Sequence, residues 1–225
     1  MVDIITRTED AVIIYKPSGI PTQSDTSGDA DAMAMTAEAL SKIGENDALW
    51  LVHRLDRVVS GLVVFARKKK SAAELSALVG GKGMEKEYLA VVEGDARGGE
   101  MTDHIFKDAA KGKAFVVANG RKGAKPASLE YVPLAFCDTE RGRRTLVRIK
   151  LHTGRFHQIR VQFASRGLPL AGDGKYGSHD NKAKTPALFA RRLGFEIFGK
   201  RTDVKIKPDT DQYPWSLFEK ENYDD

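Results

Sequence analysis

Apolar residues along the chain gather into short runs separated by breaks rich in Gly, Pro and Lys, and the period within the runs names the elements. Ala11–Tyr15 (AVIIY) is a continuous apolar run closed by the turn Lys16-Pro17-Ser18-Gly19, which is the pattern of a buried strand. Gln23–Asp31 is small and polar and predicts a loop, whereas Ala32–Ile43 spaces Met33, Ala37 and Leu40 along one helical face. Leu62–Ala66 predicts a second strand. Ser71-Ala72-Ala73-Glu74 matches a capping box with Leu75 and Leu78 beyond it, so a helix is expected from Ser71 to just before Gly80-Gly81. Lys86–Val92 predicts a third strand. Asp95–Ala127, rich in Gly, Lys and Asp, predicts hairpin connections and loops.

Ser128–Pro133 and Thr145–Leu151 follow as strands. In the second, Val147, Ile149 and Leu151 alternate with Arg148 and Lys150, giving one buried and one wet face. Phe156–Ser165 predicts a helix stopped by Gly167, with Phe156, Ile159 and Phe163 as its apolar stripe and His157, Arg160 and Ala164 on another face. Ala187–Phe195 fits strand and helix equally. Lys205–Trp215, with two prolines, predicts a short closing segment. Strands outnumber helices, which places the chain in the α+β class with a bent mixed or mainly antiparallel central sheet and flanking helices.

Composition narrows the function classes. The chain has 225 residues, 41% of them hydrophobic, enough for a core without staples. No apolar run approaches the ~20 residues that span a bilayer, and the N-terminus MVDIITRTED is too acidic and broken for a secretory signal. The single cysteine, Cys137, excludes an intramolecular disulfide framework. The expectation is a soluble, cytoplasmic protein of one domain, residues 1–225. Lys and Arg total 36 against 31 acids, a net +5, and they clump: Arg67–Lys70, Arg121-Lys122 with Lys125, Arg141-Arg143-Arg144, Arg155 with Arg160, Arg191-Arg192. Any clump can be a solvated face, but several together favour a polyanionic partner over a membrane surface.

Two stretches could carry chemistry. Leu51–Gly61 sets Asp56 between Arg54 and Arg57, just ahead of an apolar strand. A carboxylate in contact with a cation has its pKa drawn down by about 1–3 units; it stays ionised at neutral pH, as a nucleophile must. The same spacing also describes an aspartate in a structural ion pair. Leu151–Arg160 runs from a strand end through a glycine turn into a helix. Free backbone N–H groups with Arg155 and Arg160 suit a phosphate or carboxylate there, and equally a plain strand-to-helix turn with solvent-facing arginines. His152 and His157 are five apart with no carboxylate near, so no metal site is expected. There is no G-x-S-x-G elbow. Gly80-Gly81-Lys82-Gly83 follows a predicted helix rather than a strand, which makes it a poor phosphate loop.

Together the stretches resemble the RluA class of RNA pseudouridine synthases. His53-Arg54-Leu55-Asp56 with Ser60-Gly61-Leu62 is similar to the class signature H-R-L-D-x-x-[TS]-S-G-L. Lys16-Pro17-Ser18-Gly19 resembles its early K-P-x-G turn, Lys86–Ala90 its K-x-Y-x-A strand, and Thr153–Arg160 with Gly172-Asp173 and Tyr176-Gly177 its T-G-R-x-H-Q-I-R…G-D-x-x-Y-G block. The likeness covers roughly residues 10–200. Departures are Val59 where Thr is usual, Gln162 where His is frequent, and Phe189 where His is common.

The resemblance implies the single-catalytic-domain form without an S4 module. It implies isomerisation of uridine in ribosomal or transfer RNA to pseudouridine, with no metal and no organic cofactor. Asp56 would be the essential aspartate, acting as nucleophile or as base at the ribose. Tyr88 would pack on the base and serve the late C5 deprotonation, and Arg160 would pair with the aspartate. Arg54 would help displace the base, and Arg155, His157 and Leu151 would complete the substrate contacts, the charged and aromatic residues lining a basic cleft. The partner is RNA; no membrane, no obligate protein partner and a monomer are expected. A noncatalytic RNA-binding or ribosome-assembly protein that kept the fold is the alternative. A retaining hydrolase would need a second carboxylate ~5 Å from Asp56, and the matched motifs contain none.

Overall fold

The computed structural model describes residues 2–25, 28–81 and 83–224. Part of the expected Gln23–Asp31 loop and the lysine of the glycine-rich stretch, Lys82, lie outside the described residues. The chain forms two compact units: residues up to Lys86 with Ala190–Ile206, and Glu87–Phe189 with the segment from Lys207 onward. No described helix is long and apolar enough to cross a membrane.

In the first unit β1 (Asp3–Arg7), β2 (Ala11–Lys16) and β4 (Ser60–Ala66) pair antiparallel, with Ile13 opposite Val64. The two-residue β3 (Trp50–Leu51) pairs with the far end of β4. Next to β4 runs β10 (Leu188–Ile197), which folds back on β11 (Lys200–Lys205). β2 and β4 read as unbroken apolar runs because both of their faces are buried. The stretch that fitted helix or strand equally is therefore strand. Gly61 explains how closely β4 and β10 approach: its φ is +123°, and a Cβ there would lie 2.3 Å from the Ala190 carbonyl oxygen.

Helix α1 (Ala32–Lys42) begins at Asp31, whose carboxylate accepts the Ala34 N–H at 2.9 Å. Helix α2 (Lys69–Gly81) starts two residues before the capping box expected at Ser71. Ser71 is buried inside the helix and donates instead to Asp10 at 2.7 Å. Leu75 of α2 packs with Ile13, Leu62, Val64, Leu193 and Phe195 in the unit's core.

In the second unit the strand order is β5 (Glu85–Glu93), β9 (Gly142–Leu151), β8 (Lys125–Thr139), β6 (Gly99–Asp108) and β7 (Lys113–Val117), antiparallel throughout. β6 and β7 fall where loops were expected. Their alternation is broken by a polar residue on the buried side: Asp103 stands between Met101 and Ile105. It is satisfied by Gln162 Nε2 at 2.7 Å and Arg166 Nη1 at 2.9 Å, donors that no local pattern reveals.

Helix α3 (Gln158–Ala164) is shorter than expected and buried on every side up to Phe163. Phe156 and His157 precede it. His157 is left-handed, with φ 53°, so it does not share a helical face with Arg160. Gly167 ends the element as expected, with φ +73°. The Arg141-Arg143-Arg144 clump is not all surface. Arg144 is buried against Asp180 at 3.4 Å, and Asp180 also accepts the Tyr213 hydroxyl, pinning the C-terminal segment. Burial, then that hydrogen bond, pushes the Tyr213 phenol up to about 12.

Candidate active site

Asp56 lies on the loop between β3 and β4 and is half-buried; Arg54 beside it is exposed. The loop is held by the Lys16–Thr22 segment. The buried Lys16 ammonium donates to the carbonyls of Pro17 (3.0 Å), Ile20 (2.8 Å) and Arg57 (3.3 Å). Gly19 N–H donates to Arg57 O at 2.8 Å, and Ser18 Oγ to Val58 O at 2.8 Å. Thr22 Oγ1 donates to Leu55 O at 3.0 Å and accepts from Leu55 N–H at 3.1 Å. Within the loop Val59 N–H closes on Asp56 O at 3.0 Å. These bonds tie the backbone of Leu55, Arg57, Val58 and Val59 around Asp56.

Burial pushes the Lys16 amine down to about 8; the Asp56 charge opposes that shift and Arg57 adds to it. Arg57 itself pairs with Asp29. His53 does structural work: past the end of β3 its Nε2 accepts the Val64 N–H at 3.2 Å, continuing the ladder with a side chain. Burial and the Lys86 charge push the imidazole down to about 3, so it is neutral at ordinary pH, as an accepting Nε2 requires. Val59, the departure from the class signature, is buried.

Tyr88, Leu151, Arg155, His157 and Arg160 all belong to the second unit. Tyr88 is buried on β5 opposite Ile149, and Leu151 is buried at the end of β9. The turn after β9 is stapled by the Gln158 side chain. Its Oε1 accepts from Thr153 Oγ1 (2.7 Å) and Arg155 N–H (3.0 Å), and its Nε2 donates to Ser128 O (3.1 Å). Arg155 is half-buried and donates Nε to Pro126 O at 2.8 Å.

His157 stacks on Phe156 at 3.8 Å and hydrogen-bonds through Nδ1 to the Tyr176 hydroxyl at 2.8 Å. Burial, then the charges of Arg160, Lys175 and Lys107, push it down to about 3, so the ring is neutral at ordinary pH. Arg160 donates Nε and Nη2 to the two oxygens of Asp173 at 2.7 and 2.8 Å. Asp173 and Tyr176 had stood in the sequence only as letters of a motif; an acid at fixed distance from a basic helix was the signal available. Among the described residues no group of His, Cys, Asp or Glu could hold a metal ion.

The two units carry the fold of pseudouridine synthase domains: the structure of Human RNA Pseudouridylate Synthase Domain Containing 1 superposes with a TM-score of 0.76 at 22% identity, over 93% of this chain and 84% of that one. At that identity the likeness speaks for the fold. The family described as RNA pseudouridylate synthase matches residues 10–165, and the chain belongs to it. An RNA pseudouridine synthase of Aquifex aeolicus is 35% identical over 78% of this chain, which spans 56% of that relative's length. The tRNA pseudouridine synthase C of Vibrio vulnificus is 28% identical over 98% of this chain and 95% of its own.

Proposed function

We propose that the chain isomerises uridine to pseudouridine in structured RNA, transfer or ribosomal, acting as a monomeric catalytic domain. The observation that carries this reading is the Asp56 loop: a half-buried carboxylate on a backbone fixed by Lys16, Ser18, Gly19 and Thr22. Membership of the family and the name of the Vibrio relative support it. In the reaction the N1–C1′ bond breaks, the base turns, and C5 bonds to C1′; N1 gains a proton and C5 loses one, so atoms balance without a cofactor. Asp56 acts at the ribose as nucleophile or base, Tyr88 at C5, and Arg160 as the cation of the reaction. The target must leave its stack, at a cost of a few kcal/mol, which Arg54 offsets by taking the vacated place.

Pseudouridine mapping in total RNA, from cells with and without this chain, tests the activity. A site present only with the chain is expected; identical maps, together with no product from purified protein on the same RNA, would remove the reading.

Of the basic clumps, Arg121-Lys122 with Lys125 is the one we propose for the RNA path. Lys68 pairs with Glu9, Arg143 with Asp138 at 2.8 Å, Arg192 with Asp203 at 2.6 Å, and Arg191 is buried. On the β6–β7 hairpin, the loop after it and the start of β8, Lys107, Arg121, Lys122 and Lys125 are exposed and make no ion pair among the described residues. Arg121 lies over the half-buried Phe106 ring at 4.1 Å and Lys107 over Phe156 at 4.6 Å, a mixture suited to phosphates and stacked bases. Replacing Arg121, Lys122 and Lys125 together by Gln is expected to weaken RNA binding and to lower the slope of log affinity against log salt by about 2–3. Thermal stability should hold, since these are surface charges. An unchanged salt slope would place the RNA elsewhere.

A further inference from the structure

The turn Gly172-Asp173-Gly174-Lys175-Tyr176-Gly177 is built to hold still. Gly172 has φ +79°, and a Cβ there would meet the carbonyl oxygens of Thr185 at 2.5 Å and Ala183 at 2.8 Å. The backbone closes on itself: Tyr176 N–H donates to Asp173 O at 2.9 Å, Ser178 N–H to the same oxygen at 3.1 Å, and Gly172 N–H to Ser178 Oγ at 3.0 Å. From this turn the Asp173 carboxylate grips Arg160 along its Nε–Nη2 edge at 2.7 and 2.8 Å, with side-chain exposures of 1% and 5%. The Tyr176 ring lies against the same guanidinium, 5.1 Å from its centre, and its hydroxyl takes the Ala114 N–H at 2.8 Å. Two bonds to one carboxylate fix the plane of a guanidinium as well as its place.

We infer that Asp173 is a positioning residue for the reaction: it sets the plane and the place of the Arg160 guanidinium, the cation of the reaction. This rests on the reading of Arg160 as the cation of the reaction. A buried ion pair is a weak device for stability, and an apolar pair would pack the same space. A bidentate carboxylate on a rigid turn is well suited to orientation, where a misplacement of about 1 Å can cost 10²-fold in rate.

The test is a double-mutant cycle in the full-length protein, with kcat and KM measured on one RNA transcript and unfolding followed in parallel. Asp173→Asn keeps the shape and removes the charge and one acceptor for the fork. It is expected to lower kcat about tenfold or more with KM nearly unchanged. In the Arg160→Met background the same change is expected to cost less than about twofold, because its effect is routed through Arg160. Asp173→Glu retains the ion pair but displaces the fork by a methylene; kcat should fall while the unfolding temperature is held, which keeps the test decisive if the Asn variant does not fold. Equal losses from Asp173→Asn in both backgrounds, or wild-type kcat in Asp173→Glu, would overturn the inference. Wild-type turnover by Arg160→Met alone would instead remove the role given to Arg160, and the inference with it.

Discussion

Asp56→Asn is expected to abolish pseudouridine formation in a protein that still folds and still binds RNA. The hydrogen bonds that fix the loop end on the backbone of Leu55, Arg57 and Val58, and Val59 N–H closes on the Asp56 carbonyl. None of these is lost when the carboxylate becomes an amide of the same shape. The amide is neither a nucleophile nor a base at neutral pH. Turnover should therefore fall at least about a thousandfold, the scale on which loss of a covalent or acid–base group registers. One local effect has a definite sign. The Asp56 charge raises the Lys16 amine, which burial has pushed down to about 8, so the Asn variant should lower it further. Lys16 would then bind fewer protons in the fold near pH 8, and the variant should show a small loss of stability that is full below its lowered pKa and disappears as pH rises past about 8. Single-turnover assays on a transcript, with unfolding curves at two pH values, measure both. Turnover above a few per cent of wild type would take the essential role away from Asp56.

What the sequence could and could not show follows from where each interaction partner lies. β2 and β4 were legible because burial on both faces leaves an unbroken apolar run, a local signal. β6 was hidden because Asp103 occupies an inward position that is tolerable only with Gln162 and Arg166 supplied from sixty residues downstream. Ser71 satisfied a capping pattern, yet Asp10, far back in the chain, claims its hydroxyl. The basic clumps were visible as letters, but their fate was set by acids elsewhere: Glu9 for Lys68, Asp180 for Arg144, Asp203 for Arg192. The candidate residues themselves were named through resemblance, and the structure adds their supports. Lys16 and Asp173, read first as parts of motifs, prove to be the groups that hold the Asp56 loop and the Arg160 guanidinium. His157 was placed on a helical face by periodicity; its left-handed backbone puts it before the helix, where the Tyr176 hydroxyl meets it.

Tyr88→Phe separates the two uses of that side chain. The ring is buried on β5, and the backbone of Tyr88 pairs with Ile149 of β9, so Phe retains the strand register and the apolar contact. Removing a buried hydroxyl while keeping the ring costs about 1 kcal/mol on average, too little to unfold a domain of ordinary stability. RNA affinity should therefore change little. If the phenol serves the final proton transfer from C5, ordinary RNA should be turned over at least about a hundredfold more slowly, the range in which loss of a general acid–base group falls. The rearranged, base-rejoined intermediate should then accumulate. An RNA carrying 5-fluorouridine at the target has no proton on C5 to lose. The Phe variant should carry that RNA through bond cleavage and rejoining at a rate close to wild type, while failing on the normal substrate. The contrast between the two RNAs is the measurement, because a general loss of active-site order would slow both alike. Full turnover of normal RNA by Tyr88→Phe would leave Tyr88 as a packing residue, and the base for C5 would then have to be sought among other groups.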